Sequence, residues 1–365
     1  MPNGLLALTL RRQHNATMLD TLSSLQARLL IVVIVLLGAW TLTIQPLSGS
    51  GGAAITGDGT YSDIRLYHDI GDAVANGEGY YHAAIRLHRA HGFPTRPFVT
   101  VRLPTLAWIE AALGWPATRA MLRALLLITA LAWYAMLRPM TRAPERIAAT
   151  LLTLGGGAMA ASDTLMVSHE LWAGVLIALA SALLARGHVA AAIVAAACAL
   201  AIRELAVPFV AIGAYHAWRG GHRRALLAWM GLLVAYAAAL MVHRAMVMPL
   251  SLPGDAVSQG WDALRGPEAP LRDIVDVSLL NLMPRPWCYL AALLALVGFM
   301  GAPRPLARIA LPWLGSIVFL LAVFARPVNF YWAILIAPTI LAGLAFLPRT
   351  AHMLAAAALK RPLPA

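Results

Sequence analysis

The chain has 365 residues, of which 60% are apolar and only 12% charged, with a mean hydropathy of +0.72. Soluble domains carry about 25% charged residues, and here the apolar residues fall in long blocks, so a soluble enzyme, a nucleic-acid-binding domain and a disulfide scaffold are excluded. The net charge of +12 therefore needs a topological reading, and Cys198 and Cys288, each inside an apolar stretch, make neither a disulfide framework nor a metal site.

In chain order, apolar blocks that meet the requirement of about 20 residues for a membrane-spanning helix, or nearly so, lie at 29–46, 119–137, 147–163, 169–186, 225–246, 310–325 and 329–347. The stretch 187–218 is too long for one crossing and is interrupted by Arg203-Glu204 and Pro208, which predicts two short helices meeting at that break. Residues 287–301 are short but apolar and count as a further span. The expectation is an all-α polytopic membrane protein with about ten transmembrane helices, a single transmembrane domain over 1–365. Small residues at Ser48–Ala54 follow the first span, but its apolar run is longer than a signal-peptide core, so it is read as an anchor.

Orientation follows from the arginines beside short loops, which resist translocation. Arg11, Arg12 and Arg28 put the N-terminus in the cytoplasm, and strict alternation then brings Arg138/Arg142/Arg146, Arg186, Arg219/Arg223/Arg224, Arg304/Arg308 and Arg349/Lys360/Arg361 to the same side. That side collects fifteen basic and two acidic residues, and the other thirteen and fourteen. The basic balance is thus the positive-inside signal of an inner (plasma) membrane protein of bacterial type, and nucleic acid drops out as a partner.

Two external segments, 47–118 and 247–286, are too long to be connectors. After the glycine-rich 49–59 comes Tyr61–Val74, in which Leu66/Tyr67, Ile70 and Ala73/Val74 recur at three- and four-residue steps. That periodicity predicts an amphipathic helix on the membrane surface, starting at Ser62 or Asp63. Leu103–Gly114, with Trp108, reads as a second surface helix. The ionisable residues Asp163, His169, Glu170, Arg203, Glu204, His243, Arg244 and Arg326 all fall at the same external boundary as Asp63. Charges at that depth mark a water-filled cavity and a functional site.

The pattern Asp63-x-x-x-Tyr67-x-x-Ile70, followed by Gly77 and Tyr80-Tyr81, resembles the first extracytoplasmic loop of the GT-C glycosyltransferases. Arg96-Pro97, Arg102-Leu103-Pro104, Trp108 and Arg119 resemble the end of that loop. The resemblance covers roughly residues 29–140 and is architectural beyond. It implies a polyprenyl-phosphate sugar as donor, a lipid, glycan or protein hydroxyl as acceptor, and Asp63 as catalytic base, with Asp58 as the rival acid. The family's Asp-x-Asp pair is absent, with Asp69 and Asp72 nearby, so Mg²⁺ or Mn²⁺ dependence stays open.

The residue chemistry is compatible with such a transfer. A carboxylate can take the acceptor proton, and guanidinium groups match phosphate oxygens, which makes Arg203, Arg244 and Arg326 the phosphate-binding candidates. Asp163, His169, Glu170 and Glu204 are candidates for binding sugar hydroxyls, orienting the acceptor or holding a divalent ion, and Tyr67 and Tyr331 for contacting a sugar ring. Each has a plainer alternative. Asp63 can serve as a helix N-cap, Arg203-Glu204 can be an internal ion pair, and His243 and Arg244 can snorkel to headgroups. Two further function classes remain beside the transferase: a transporter or flippase of lipid-linked glycans, and a non-catalytic assembly subunit.

Overall fold

The computed structural model describes residues 17–45 and 61–359; the expectations resting on Arg11, Arg12, 47–60 including Asp58, Lys360 and Arg361 lie outside the described residues. All regular elements among the described residues are helical, with one isolated bridge between Arg96 and Val257. We number the α-helices α1 (Ser24–Thr41), α2 (Asp63–Ala75), α3 (Tyr80–Ala90), α4 (Thr105–Leu113), α5 (Trp115–Leu137), α6 (Ala143–Gly156), α7 (His169–Ala185), α8 (Val189–Ile202), α9 (Val207–Arg219), α10 (Arg223–Val247), α11 (Glu268–Asp276), α12 (Trp287–Gly298), α13 (Arg304–Val323), α14 (Ala337–Ile340) and α15 (Gly343–Leu359).

Four of these, α1, α5, α10 with its terminal turn to Leu250, and α13, are long and apolar enough to cross a membrane, and α7, α8 and the α12 segment are shorter apolar helices. The chain is a helical membrane protein. Only 11% of the most apolar window is buried in both α1 and α10, so these helices turn their side chains outward, as lipid-facing helices do. By contrast α7 is apolar on every face and largely buried, packed between α5, α8 and the segment Pro327–Leu335. It is the axis of the bundle.

The break at Arg203-Glu204 is present: α8 ends at Ile202, a single 3₁₀ turn covers Glu204–Ala206, and α9 starts at Val207 with Pro208 in its first turn, where a missing N–H costs nothing. Elsewhere the predicted boundaries move. The first helix begins at Ser24 rather than 29, because Ser23 and Gln26 form a reciprocal capping box that stabilises an earlier start. The block 147–163 is helical only to Gly156 and then passes into short 3₁₀ turns, and the block 329–347 is a 3₁₀ segment, Pro327–Leu335, followed by the single turn α14 and then α15. Every residue from Trp332 to Gly343 is buried. Irregular backbone survives at such depth where protein rather than lipid surrounds it. Gly174 of α7 allows the approach, since a Cβ there would lie 2.9 Å from the carbonyl oxygens of Ile334 and Leu335.

Long-range hydrogen bonds divide the loops into two ends. At one end Arg186 donates to the Ala135 carbonyl, Arg349 pairs with Glu145, Arg304 donates to the Thr17 carbonyl, Thr17 reaches Met353, and His216 meets the Arg308 carbonyl. Every described arginine that alternation assigned to the cytoplasm lies in or beside these loops. At the other end α2, α3 and α4 form a cap with their own small core of Leu66, Ile70, Tyr80, Ile85 and Val101. Thr105 donates to the Ala201 carbonyl, anchoring the cap to the end of α8.

Candidate functional site

The cap helix α2 owes its start to Ser62, whose hydroxyl accepts from the Arg65 N–H. Ser62 therefore takes the capping role, and Asp63 is the first helical residue. Its carboxylate has no hydrogen bond or ion pair among the described residues, and it lines a cavity of about 440 Å³ between cap and bundle. Leu66 and Tyr67 line the same cavity, as the three- and four-residue spacing requires.

Three guanidinium groups reach this cavity: Arg102 from the end of the first loop, Arg203 from the α8–α9 break, and Arg326 from the start of the final segment. Arg203 is fully buried; its Nε lies 2.7 Å from Glu170 and its Nη1 pairs with Glu204. Arg102 lies 3.8 Å from Glu170 and 3.6 Å from Glu204, and its Nε donates to the Tyr67 hydroxyl at 3.1 Å. Glu170 and Glu204 thus hold both arginines in place, and the plain ion-pair alternative for Arg203-Glu204 describes part of what they do. Arg326 differs: its partners are the amide oxygens of Asn329 and Gln259, and it meets no carboxylate among the described residues. Of the three guanidinium groups it is the one whose charge no neighbouring carboxylate offsets among the described residues.

Tyr331 accepts from the Asn329 amide at 3.2 Å, and both line the cavity beside Trp332. His169 stands behind Tyr67, ring edge to ring face at 4.7 Å between centroids. Burial raises the Asp63 carboxyl above the ordinary carboxylate range, with Arg102 acting in the opposite sense. Burial likewise pushes the Tyr67 phenol up, so Tyr67 stays neutral.

Of the predicted members, His169 and Glu170 stand behind the lining, and Asp163 and Arg244 lie elsewhere. Asp163 is exposed and bridged by Arg119 and Arg123, each at 2.9 Å, because the 3₁₀ turns after α6 carry it toward the outer end of α5. Arg244 is exposed on α10, and its neighbour His243 faces inward instead, within hydrogen-bond reach of the Val101 carbonyl and the Tyr81 hydroxyl. His243 holds the strand of chain before Arg102, and does not snorkel.

Arg102 is the residue that sequence reasoning did not select for the site. Its signal was available: a lone arginine before Leu103-Pro104, between an apolar stretch and a helix start. The second external segment was expected to matter but without named residues, and Ser258, Gly260 and Trp261 from it complete the lining. It is strapped to the first loop by Asp255, which accepts from the Arg89 fork at 2.6 and 2.9 Å, from Thr95 at 3.0 Å and from the Leu252 N–H at 2.9 Å. The Arg89 fork, aided by the Leu252 N–H, holds the Asp255 carboxyl well below the usual range.

His68, Asp69 and Asp72 bring ligand atoms within 4.8 Å of one another. They sit on the face of α2 turned away from Asp63 and Tyr67, and each is already engaged. Asp69 accepts from the Tyr61 hydroxyl, Asp72 accepts from the Trp115 indole at 2.7 Å, and the His68 ring stacks on Trp115. The set does not fit a metal ion serving the cavity.

No family model, curated protein or solved structure matches the chain.

Proposed function

We propose that this protein is a membrane glycosyltransferase of GT-C type, with ten crossings and its cavity on the periplasmic or exterior face of a bacterial inner membrane. It moves a sugar from a polyprenyl-phosphate donor to a hydroxyl of a lipid, glycan or protein. The observation that carries the reading is the unpartnered Asp63 carboxylate in one cavity with the guanidinium groups of Arg102, Arg203 and Arg326.

The chemistry follows from that opposition. Asp63 accepts the proton of the acceptor hydroxyl, the acceptor oxygen bonds to the anomeric carbon, and the bond from that carbon to the phosphate oxygen breaks. The electron pair leaves with the polyprenyl phosphate, whose growing negative charge Arg326 and Arg102 neutralise. Fixed cations placed where charge develops are commonly the largest catalytic contribution. Asp63 has a raised proton affinity, which suits a base better than an ordinary surface carboxylate does. Glu170 and Glu204 act on the arginines and not on the substrate, and Tyr67 and Tyr331 offer sugar-facing hydroxyls. A transporter reading asks for binding groups near the membrane midplane, whereas these residues gather at one end of the bundle, under a cap.

The test is mass spectrometry of envelope glycans and glycolipids from cells with the protein, without it, and with Asp63→Asn. We expect one glycan species to lose a sugar in the latter two, and the purified variant to lose about 10²–10⁴-fold in turnover while still binding donor. Unchanged glycans without the protein would reject the transferase, and full transfer by Asp63→Asn would reject the base.

A further inference from the structure

A second cavity lies at the opposite end of the molecule. It is larger, about 1410 Å³, and is formed where the end of α5, the start of α6 and the middle of α15 meet. The helix α5 separates the two: Trp115 begins it beneath the cap and Leu137 ends it at this cavity, a rise of about 34 Å over its 23 residues. The charged lining is one-sided, with Arg138, Arg142 and Arg349 against the single carboxylate of Glu145, and the His352 imidazole completes the polar lining. Glu145 is spent on Arg349. Arg138 and Arg142 are exposed, and their guanidinium groups have no partner among the described residues.

The level of this cavity is marked by aromatic residues. Tyr134, one turn before Arg138, is exposed on α5 and carries the Arg146 guanidinium 4.6 Å above its ring. Tyr215 and Trp218 are exposed on α9 in the same layer of loops. Exposed tyrosine and tryptophan at helix ends mark the headgroup region. Much of the rest of the lining is apolar, with Leu344, Ala345 and Pro348 from α15 facing Ala148 from α6. A site with apolar walls opening at headgroup depth and two unneutralised guanidinium groups at its rim matches a molecule with an acyl tail and a phosphate of net negative charge. Basic pockets of this kind between transmembrane helices take anionic lipid headgroups.

We infer that this cavity is a binding site for an anionic phospholipid of the surrounding leaflet, held through its phosphate by Arg138 and Arg142. Nothing in the inference depends on the activity at the other end. The shared chemistry is a phosphate monoanion, and the test separates a lipid headgroup from a free phosphate.

The experiment is native mass spectrometry of the delipidated protein titrated with phosphatidylglycerol, with phosphatidylcholine of the same chains, and with inorganic phosphate. The expected result is retention of phosphatidylglycerol over phosphatidylcholine, with no competition from millimolar inorganic phosphate. Arg138→Gln combined with Arg142→Gln weakens that retention on the order of 30-fold, at roughly 1 kcal/mol for each basic residue near an anionic surface. Arg223→Gln, an exposed arginine in another loop of the same end, leaves it unchanged, and Arg138→Lys with Arg142→Lys preserves most of it. Equal retention of the two lipids, displacement by inorganic phosphate, or an equal loss in Arg223→Gln would each overturn the inference.

Discussion

The two ends of the bundle handle charge in opposite ways. At the capped end the cavity is built on acids and bases that alternate in space, and its two carboxylate-paired cations are buried: the Arg203 side chain is 1% exposed and the Arg102 side chain 11%. At the other end Arg138 and Arg142 project singly into solvent, and Glu145, engaged by Arg349, is the only acidic residue in the loop that carries Arg138, Arg142 and Arg146. Exposed charge of one sign orients a chain in a membrane and asks little of its neighbours. Buried charge of both signs has to be assembled, because each ion must find its counterpart before the fold can close. The comparison separates residues that set topology from residues that build a site.

The sharpest way to break this comparison is to remove one ion at each end. Arg203→Met leaves Glu170 and Glu204 without their closest cation, and we expect a loss of about 3–5 kcal/mol in thermal or denaturant unfolding. Arg142→Met should stay within about 0.5 kcal/mol in the same measurement, as exposed substitutions do. Similar losses in the two variants would mean that the buried cluster is not structurally special.

A pH titration sharpens it further. Glu110 of α4 is buried beside Gly71 and Trp115, and burial, with a smaller push from Asp72, raises its carboxyl to about 9. Because the folded state holds this proton more tightly than the unfolded chain, its stabilising contribution is complete below the ordinary carboxylate range and is lost as pH rises through about 9. The melting temperature of the purified protein should fall across that window, and Glu110→Gln should flatten the fall. Asp255 has the opposite sign. Its depressed proton affinity stabilises the strap above the ordinary carboxylate range and persists until pH falls through its lowered folded value. Hydrogen exchange in residues 252–258 should stay slow at mildly acidic pH and quicken in Asp255→Asn.

The smallest effect belongs to Asp163. Its clamp by Arg119 and Arg123 is exposed, and exposed pairs contribute about 0–1 kcal/mol. Asp163→Asn should leave polyprenyl-phosphate binding unchanged, measured by the same mass spectrometry, whereas Arg326→Ala should weaken it. If Asp163→Asn behaves like Arg326→Ala, the division between site and surface has been drawn in the wrong place.

Much of this was legible along the chain because it depends on near neighbours. The periodicity of Leu66, Tyr67 and Ile70 describes a helix with one buried face, and Pro208 after Arg203-Glu204 marks a break between two short helices. What escaped depends on partners far apart in sequence. Arg102 and Glu204 are a hundred residues apart, and no local pattern says that they meet. Asp163 and Arg244 share the right depth with the cavity residues, but depth leaves rotation about the bundle undetermined. The block 329–347 reads as one apolar span because hydropathy does not register backbone shape. Its departure from a regular helix is tolerated because the segment is buried against α7.

The seam between α12 and α15 has a consequence of another kind. A Cβ on Gly298 would lie 1.9 Å from the Gly343 carbonyl oxygen, and one on Gly343 would lie 1.9 Å from that of Ala295. Main chain touches main chain there, in a fashion known from close helix crossings in lipid. Mutational drift at these two positions is confined to a vocabulary of one word: even alanine has nowhere to go. A saturation library screened for folded protein should therefore return wild type at both sites, while the neighbouring Leu296 and Leu344 accept many replacements.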